Sequence, residues 1–379
     1  MRAVRNAMFL GSALALAACG GAEMDQAEAD VGQLGAPLHQ ASPGLRIDGD
    51  YIVVLKDGAD ARAVAAIAGV SPRYEYSIIN GFAASLSKGQ LTALRQNADV
   101  AYVEEDQIAQ ADATQYSATW GIDRIDQRAL PLSGSYNYTT TASTVYAYII
   151  DTGLQTSHSE FSGRATNVYD AFGGSGADCQ GHGTHVGGTV GGVTYGVAKG
   201  VKLRGLRVLD CAGSGSNSGV IAGMDWVRTN HIKPAVANMS LGGGYSSTVN
   251  TSANNLANAG VFLAVAAGNN GADACNYSPA SASAATTVGS TTSSDGRSSF
   301  SNYGACVDIY APGSSITSAQ LNGTATTMSG TSMASPHVAG AGAIYKATYG
   351  DAATSTIDSW LKNNGTSLSF GKLLYKGSL

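Results

Sequence analysis

The chain has 379 residues, 49 of them glycine, and only 13% of its residues are charged. This length allows one large domain and one small one. The composition argues against a coiled coil or a disordered chain and favours a compact α/β protein. The formal net charge of −5 provides neither the basic surface that nucleic acids require nor a polybasic patch for anionic lipids. We therefore expect no nucleic-acid partner.

The N-terminus is typical of an export signal. Two arginines among the first five residues precede an apolar run, Met8–Ala18, which is too short to span a bilayer and ends in small residues. The stretch Leu16–Gly20 also resembles a bacterial lipobox, in which Cys19 would become lipidated. The alternative is an ordinary signal peptide that happens to contain a cysteine. Residues 1–19 are thus predicted to be a cleaved signal on an exported protein.

Cys19 is one of five cysteines in the chain. The other four are Cys179, Cys211, Cys275 and Cys306. This even set contains no Cys-x-x-Cys pair, which argues against zinc, and export makes disulfides possible. Four cysteines allow three pairings, and their spacing does not choose among them.

A spacer and a small domain follow the signal. Residues 20–45 lack apolar periodicity and predict a flexible spacer, and 46–112 predict a small domain. Its expected elements are a strand at Tyr51–Leu55, a helix at Ala59–Ala68, a strand region at Tyr76–Leu86 interrupted at Asn80-Gly81, a helix at Gln90–Gln96 and a strand at Val100–Val103. This β-α-β-β-α-β order is typical of a ferredoxin-like α+β domain.

A larger domain is predicted at 113–379, where Gly-rich turns and helical stretches alternate with apolar runs. These runs are Val145–Ile150, Leu206–Leu209, Ala235–Met239 and Val261–Val265. Continuous apolar runs are typical of strands that are buried on both faces of a parallel sheet. In such sheets the chemically active side chains gather at the carboxyl ends of the strands. Three unusual motifs in this part of the chain are therefore candidates for a functional site.

The first motif is Asp151-Thr152-Gly153, which ends the first apolar run and leaves a carboxylate at a strand tip. The tripeptide is ambiguous by itself, because aspartic proteases use the same sequence. An aspartate that caps a turn is the simpler interpretation of an isolated case.

The second motif is Gly181–Gly188, which contains His182 and His185. The flanking glycines place His182 at a helix start with little steric cover. The two histidines are three residues apart, so a metal pair must be considered. The glutamate of a His-Glu-x-x-His motif is missing, which argues against a zinc peptidase. His185 is interpreted as a packed structural histidine.

The third motif is Ser329–Gly340, in which Ser332 is the candidate nucleophile. Pro336 is expected in the first turn of a helix that begins here. A serine at such a position has an exposed hydroxyl near backbone N–H groups and the positive end of the helix dipole. The motif is not Gly-x-Ser-x-Gly, and the order Asp, His, Ser differs from that of an α/β-hydrolase.

These three motifs together resemble those of the subtilisin-like serine peptidases, in the proteinase K branch and nearest to the aqualysin-type enzymes. Segments that resemble this branch are Trp120–Gln127, Tyr195–Lys199 and Asn276–Ala280, and Tyr51–Gln107 with its end Ala101–Asp106 resembles the family's inhibitory propeptide. The resemblance implies a three-layer α/β catalytic domain with a parallel sheet, preceded by the propeptide. Val186 stands where proteinase K has a free cysteine, a difference within the branch.

The resemblance also implies roles for individual residues. Ser332 would attack the scissile carbonyl, His182 would act as general base and acid, and Asp151 would orient the imidazole. The Asn269 side chain and the Ser332 N–H would stabilise the oxyanion, with Asn270 a weaker candidate. No cofactor is implied for catalysis.

Substrate binding is expected as strand addition to open, Gly-rich backbone edges. The rims of the cleft would be formed by Ser240, Leu241, Gly242, Gly243 and Gly244 on one side and by Ser214 and Gly215 on the other. The primary pocket would be lined by Ala266, Ala267 and Gly268, whose neutral character favours apolar or aromatic side chains. A flexible loop is the alternative interpretation of these glycine runs.

Disulfides Cys179–Cys211 and Cys275–Cys306 are implied by the resemblance, each worth about 3 kcal/mol in the chain-entropy model. Structural calcium is implied at two places. One would use Asp308 with the carbonyls of Ser283 and Ala285, although the family commonly has proline where Ser283 stands. The other would use Asp123, Asp126 and Gln127, for which solvated acids on a helix face are the alternative.

The expected protein is therefore a secreted serine endopeptidase with broad specificity, made as a zymogen that cuts itself near Asp112-Ala113. Its own propeptide would serve as chaperone and inhibitor, and its substrates would be proteins and peptides. We expect a monomer that is extracellular after maturation, with a precursor anchored by lipid if Cys19 is modified. A catalytically inactive binding module and a serine esterase of another fold are the alternatives, and the filled triad and oxyanion positions argue against the first.

Overall fold

The computed structural model describes residues 35–41, 46–108, 113–377 and 379. The export signal with Cys19, most of the spacer and Asp112 lie outside the described residues. The chain forms two compact units, which centre on Gly49–Glu105 and on Asp106–Leu379. No helix in the described ranges is both long and apolar enough to cross a membrane.

The first unit has the predicted β-α-β-β-α-β order. Its elements are β1 (Leu38–His39), β2 (Arg46–Leu55), α1 (Ala61–Ile67), β3 (Tyr74–Tyr76), β4 (Gly81–Ser85), α2 (Lys88–Gln96) and β5 (Val100–Gln107). The strands form one sheet in the order β1-β5-β2-β4-β3, in which β2 and β4 are antiparallel. This is the ferredoxin-like arrangement with β1 added at one edge, parallel to β5.

Local signals define the helices of this unit, and apolar side chains hold them on the sheet. Asp60 accepts hydrogen bonds from two N–H groups in the first turn of α1, and Ser87 forms a capping box with Gln90 at the start of α2. The core contains Val53 and Phe82 from the strands and Leu94 from α2, all fully buried. The caps set the helix starts, and burial of these side chains supplies the stability.

The second unit is larger and alternates strands with helices. Its elements are β6 (Ala113–Tyr116), α3 (Trp120–Asp126), β7 (Ser135–Tyr138), β8 (Tyr146–Asp151), β9 (Ala165–Asp170), α4 (His182–Gly191), β10 (Lys202–Arg207), α5 (Asn217–Asn230), β11 (Ala235–Met239), β12 (Gly243–Gly244), α6 (Ser247–Asn258), β13 (Phe262–Ala266), β14 (Tyr277–Ser278), β15 (Thr286–Thr291), β16 (Ile309–Pro312), β17 (Ile316–Ala319), β18 (Ala325–Met328), α7 (Thr331–Tyr349), α8 (Thr354–Asn364), β19 (Thr366–Leu368) and β20 (Gly371–Leu373).

Three of the predicted apolar runs form β8, β11 and β13, and the fourth, Leu206–Leu209, overlaps only the end of β10, which begins earlier at Lys202. They belong to a sheet with the order β19-β20-β16-β15-β13-β11-β8-β10-β9, which is parallel except for β19. Along β8, Ile149 packs with side chains of α4 and α7, whereas Tyr148 and Ile150 pack with those of α5 and α6. Helices thus cover both faces, and the expected three-layer α/β architecture is confirmed.

The strand order brings the three sequence motifs to one edge of the sheet. From β8 the chain builds β9 and β10 on one side and then β11, β13, β15 and β16 on the other. A crevice forms outside the carboxyl ends of the strands where the order reverses, between β8 and β11. Asp151 ends β8, Ser240 follows β11 and Asn269 follows β13 at this edge.

The expected position of Pro336 is wrong. Helix α7 begins at Thr331, so Pro336 lies in its second turn and not in its first. Proline cannot donate the N–H that would bond to the carbonyl of Ser332 four residues earlier. The hydroxyl of Ser240 donates to that carbonyl instead, at 2.6 Å. A neighbouring side chain therefore satisfies the group that the proline leaves open, and the helix continues.

Candidate active site

Asp151 is fully buried at the carboxyl end of β8. Its Oδ1 accepts a hydrogen bond from the Thr152 N–H and lies 2.8 Å from Nδ1 of His182. Within the described residues its other oxygen, Oδ2, is buried without a hydrogen-bond partner. A buried carboxylate in this position favours the tautomer with the proton on Nδ1 and leaves Nε2 to accept a proton.

His182 is the first residue of α4, and the carboxylate of Asp178 holds the turn before it. Oδ1 of Asp178 accepts from the N–H groups of Gln180 and Gly181 and from the Thr152 hydroxyl. Oδ2 accepts from the N–H and hydroxyl of Thr184 in the first turn of the helix. Asp178 was not among the site residues expected from the sequence. An acidic residue shortly before a helix start is a capping signal that could have revealed it.

Two glycines allow α4 to approach β8 closely. Gly181 has a φ of +106°, a conformation that side chains rarely adopt. A Cβ atom on Gly183 would overlap the carbonyl oxygen of Gly153. The glycines that flank His182 are therefore needed to bring its ring to Asp151.

Opposing effects set the pKa of His182. Burial alone lowers this pKa, but the charge of Asp151, the hydrogen bond to it and the charge of Asp178 raise it, and the pKa lies above its ordinary value. His185 behaves differently, because burial outweighs the hydrogen bonds between its Nε2 and the carbonyls of Ile316 and Thr326 and lowers its pKa to about 4. His185 is fully buried, as a packed structural histidine would be. In the described ranges no group of three or more His, Cys, Asp or Glu side chains could hold a metal ion.

Ser332 is the second residue of α7 and lines the same cleft as His182 and Asn269, a cavity of about 520 Å³. Its hydroxyl donates to the Ser240 carbonyl at 3.0 Å, and the Ser240 hydroxyl donates back to the Ser332 carbonyl. No hydrogen bond joins the Ser332 hydroxyl to His182 Nε2 in the described part of the chain. Such bonds are often long without substrate and tighten when it binds.

A buried hydrogen-bond network, formed by Asn238 and Ser335, supports the Ser240–Ser332 pair. Nδ2 of Asn238 donates to the Ser240 hydroxyl at 2.9 Å, and the Ser335 hydroxyl donates to Oδ1 of Asn238 at 2.7 Å. Asn238 and Ser335 are fully buried. The sequence analysis did not single out either residue, because the network joins β11 to α7 across nearly a hundred residues of chain.

The side chain of Asn269 has a defined orientation. Its Oδ1 accepts from the N–H of Thr331 at 2.8 Å and from the Thr331 hydroxyl at 2.9 Å, which turns Nδ2 toward the cleft. The N–H of Ser332 lies in the first helical turn, where backbone donors have no intrahelical acceptor. Asn302, fully buried, bonds to the backbone of Ala267 and Asn270 and holds this loop. Asn270 contributes its backbone to that anchor.

A cavity of about 380 Å³ lies beside Ser332. Ala266, Ala267 and Gly268, which were expected to form the primary pocket, line it together with the expected rim residues Leu241, Gly242, Gly243 and Gly244. Tyr277, Ser278 and Ala280 also line it and were not assigned to it from the sequence. Strand β14 brings them there, because it pairs antiparallel with β12 at Gly243 and Gly244.

The opposite rim differs in detail from the expectation. The N–H of Ser214 donates to the Asp210 carboxylate, and its carbonyl accepts from the Asp210 N–H. Gly215 is exposed and makes no such backbone bond within the described residues. On this side the open backbone therefore falls at Gly215 and not at Ser214.

Both disulfides implied by the resemblance are present. Cys179 is bonded to Cys211, and Cys275 is bonded to Cys306. The first one ties the turn between Asp178 and His182 to the loop that forms the Ser214 rim.

Protein donors already contact the carboxylates of both groups of residues expected to bind calcium. The ammonium of Lys362 lies 3.1 Å from Oδ1 of Asp308, where a cation would sit. At the other place, the carboxylate of Asp123 accepts from Ser133 and Gly134, and that of Asp126 accepts from Asn137.

Gln127 completes this second group in the same manner, since its Oε1 accepts from the Ser133 N–H. Its Nε2 donates to backbone carbonyls, one of them that of Pro131 at 2.8 Å. These side-chain oxygens accept hydrogen bonds from backbone N–H groups of the neighbouring segment. We derive no role for calcium from them.

Comparison with known proteins agrees with this geometry. The subtilase family profile matches residues 143–376, and that of peptidase inhibitor I9 matches 50–112. The extracellular serine proteinase of Thermus sp. (strain Rt41A) is 52% identical over 356 residues, which cover 86% of this chain and 87% of that protein. Proteinase R of Parengyodontium album is 46% identical over 330 residues, covering 84% of each.

A solved structure supports the same conclusion. The crystal structure of a cold adapted subtilisin-like serine proteinase matches with a TM-score of 0.68 and 50% identity, and covers 69% of this chain and 99% of that one. The chain belongs to the subtilase family and is a serine peptidase preceded by an I9-type inhibitor segment.

Proposed function

We propose that the chain is a secreted serine endopeptidase that cleaves peptide bonds through Asp151, His182 and Ser332. The observation that carries this proposal is the 2.8 Å contact between His182 Nδ1 and the buried Asp151, in the cleft that Ser332 also lines. The reaction would need no cofactor, because these residues supply the nucleophile, the base and the orienting carboxylate.

In the proposed reaction the hydroxyl of Ser332 attacks the scissile carbonyl while Nε2 of His182 takes its proton. The same proton then passes to the leaving amine, and the resulting acyl-enzyme is hydrolysed by water along the reverse path. Asp151 stabilises the imidazolium in both steps. Since the Ser332 hydroxyl donates to the Ser240 carbonyl in the free enzyme, it must turn toward His182 when substrate binds.

The oxyanion would be bound by Nδ2 of Asn269 and the N–H of Ser332. Both donors are preorganised, the first by its bonds to Thr331 and the second by the helix start. Removal of such a side-chain donor lowers turnover about 10²–10³-fold, a magnitude that comes from a related subtilisin.

The substrate would bind as an extended strand between the rim at Ser240–Gly244 and the rim at Gly215. The pocket formed by Ala266, Ala267 and Gly268 carries no charged side chain and would accept an apolar or aromatic residue before the cleaved bond. Backbone bonds would provide most of the affinity, which supports a broad specificity.

We further propose that the enzyme is made as a zymogen. Residues 1–19 would be the export signal, 20–45 a spacer, 46–112 the chaperone and inhibitor, and 113–379 the mature peptidase, which acts outside the cell as a monomer. The match of 50–112 to the I9 inhibitor family supports the assignment of 46–112 as the inhibitor segment. If Cys19 is lipidated, self-cleavage near Ala113 would release the peptidase from its membrane anchor.

Intact mass spectrometry of the expressed full chain and of Ser332→Ala tests this proposal. We expect a fragment that starts near Ala113 from the wild type and an uncut chain from the variant. Ser252→Ala is the matched control, because within the described ranges this hydroxyl bonds only to its own helix, and it should be processed like the wild type.

If the wild type and Ser332→Ala are cut alike, a host protease is responsible and self-processing is refuted. If the wild type is not cut and cleaves no peptide, the alternative of an inactive binding module is favoured.

A further inference from the structure

Three charged side chains form a cluster where α8 meets the sheet. The ammonium of Lys362 lies 3.1 Å from Oδ1 of Asp308 and 2.5 Å from Oδ2 of Asp358. Asp308 immediately precedes β16, and the other two residues are one turn apart on α8. The carboxylates are further tied to the sheet, since Asp308 accepts from the Thr287 N–H and Asp358 from the Thr286 hydroxyl.

This cluster occupies the place where the family resemblance implies calcium. Asp308, Asp358, Lys362, Ser283 and Ala285 line one small cavity at the surface. A calcium ion bound to Asp308 would lie about 2.4 Å from its oxygen, close to the ammonium that already contacts that oxygen. Two neighbouring cations repel each other, so the ammonium of Lys362 disfavours a calcium ion at Asp308.

We propose that Lys362 replaces calcium at Asp308. The ammonium offsets part of the negative charge of the two facing carboxylates and connects the start of β16 with α8 without a metal. Side-chain exposures of 37% for Lys362, 28% for Asp308 and 18% for Asp358 show that the cluster is partly shielded from solvent. Salt should therefore weaken this connection in part, whereas a chelator should leave it intact.

The test uses the full chain with Ser332→Ala, which prevents self-digestion, and adds Lys362→Met. Lys372→Met is the matched control, because it removes one positive charge whose contact is the Ser367 hydroxyl. Melting is followed by tryptophan fluorescence in EDTA and in millimolar calcium chloride. We expect Lys362→Met to melt about 2–4 °C lower in EDTA and to recover in calcium. The parent and Lys372→Met should show a common, smaller response to calcium.

Equilibrium dialysis with labelled calcium provides a direct readout. Lys362→Met should bind one ion more than the parent, and the added variant Asp308→Asn should remove that ion. The proposal is overturned if Lys362→Met binds no additional calcium, or if Asp308→Asn alone lowers the number of ions bound by the parent. The Lys362→Met comparison decides the matter even if Asp308→Asn does not fold.

Discussion

At the scale of single residues, two carboxylates determine the chemistry of His182. Asp151 contacts the ring at 2.8 Å, and Asp178 adds a second negative charge from the turn before the helix. Together they outweigh the effect of burial and raise the pKa of the imidazole. The ring is therefore a stronger base than an ordinary histidine, which suits the transfer of a proton from Ser332.

The first prediction is the pH dependence of activity. The general base must be neutral, and its pKa lies above the ordinary value of 6.5, so activity should fall as the pH decreases through a midpoint above 6.5. The dependence of kcat/KM on pH with a neutral peptide substrate measures this midpoint in the free enzyme. A midpoint at or below 6.5 would contradict the assigned environment of His182.

The reciprocal bonds between Ser240 and Ser332 are the second feature at this scale. Because Pro336 has no N–H, the carbonyl of Ser332 depends on the hydroxyl of Ser240 for its hydrogen bond. That hydroxyl in turn accepts from Asn238. The backbone at Ser332, the proposed nucleophile, is thus held by the side chains of Ser240 and Asn238.

We predict that Ser240→Ala lowers the free energy of unfolding by about 1–3 kcal/mol, because it leaves two buried polar groups unpaired. It should also lower kcat more than it changes KM, since Ser332 loses its fixed position while the rim backbone stays. Steady-state kinetics and urea unfolding measure both effects, with Ser252→Ala as the control. An unchanged kcat with a raised KM would assign Ser240 to substrate binding alone.

At the scale of elements, the start of helix α4 is held from two directions. Asp178 accepts hydrogen bonds from five backbone or hydroxyl donors around the turn and the first helical turn. The disulfide from Cys179 to Cys211 ties the same turn to the cleft rim. The position of His182 therefore depends on how this helix begins, and not only on its contact with Asp151.

We predict that Asp178→Asn lowers kcat at least about tenfold, because the amide cannot accept from Thr184 and from the turn at once and the ring of His182 shifts. The acidic limb of the pH profile should move to lower pH, since the charge that raises the His182 pKa is removed. Asp225→Asn, which affects an exposed ion pair on α5, is the control. A loss of stability with an unchanged pH profile would show a merely structural role.

At the scale of the whole molecule, buried neutral histidines make the free energy of unfolding depend on pH. His185 and His337 are almost fully buried, and burial lowers the pKa of each to about 4. In the unfolded chain both would titrate near 6.5. The unfolded state therefore binds more protons than the folded state between pH 4 and pH 6.5. The contribution of these two histidines to the free energy of unfolding is thus fully present above pH 6.5 and is lost as the pH falls toward 4.

We predict that unfolding of the Ser332→Ala chain needs clearly less urea at pH 5 than at pH 7.5. The loss should be of the order of 2 kcal/mol for each histidine over this interval. Tryptophan fluorescence reports it, because all three tryptophans lie in the larger unit. His337→Gln should reduce the difference between the two pH values, and His231→Gln, on a surface helix end, should not.

The sequence by itself determined four strands of the main sheet, the β-α-β-β-α-β order of the first unit and the three motifs of the site. These features depend on local signals. Continuous apolar runs need burial on two faces, and glycines such as Gly181 permit backbone conformations or approaches that other residues prevent. A histidine flanked by glycines and a serine near a helix start can be recognised in the sequence without knowledge of the fold.

Only the tertiary structure decided which distant polar groups meet. Asp178, Asn238 and Asn302 act through partners that other strands and helices bring to them, and Lys362 reaches Asp308 across 54 residues of chain. Pro336 could stand in the second turn because Ser240, far away in the sequence, satisfies the open carbonyl. Hydrogen bonds and ion pairs require donor–acceptor distances that are correct to within a few tenths of an ångström. The spacing of residues along the chain does not determine these distances, because they depend on how the folded sheet positions its strands.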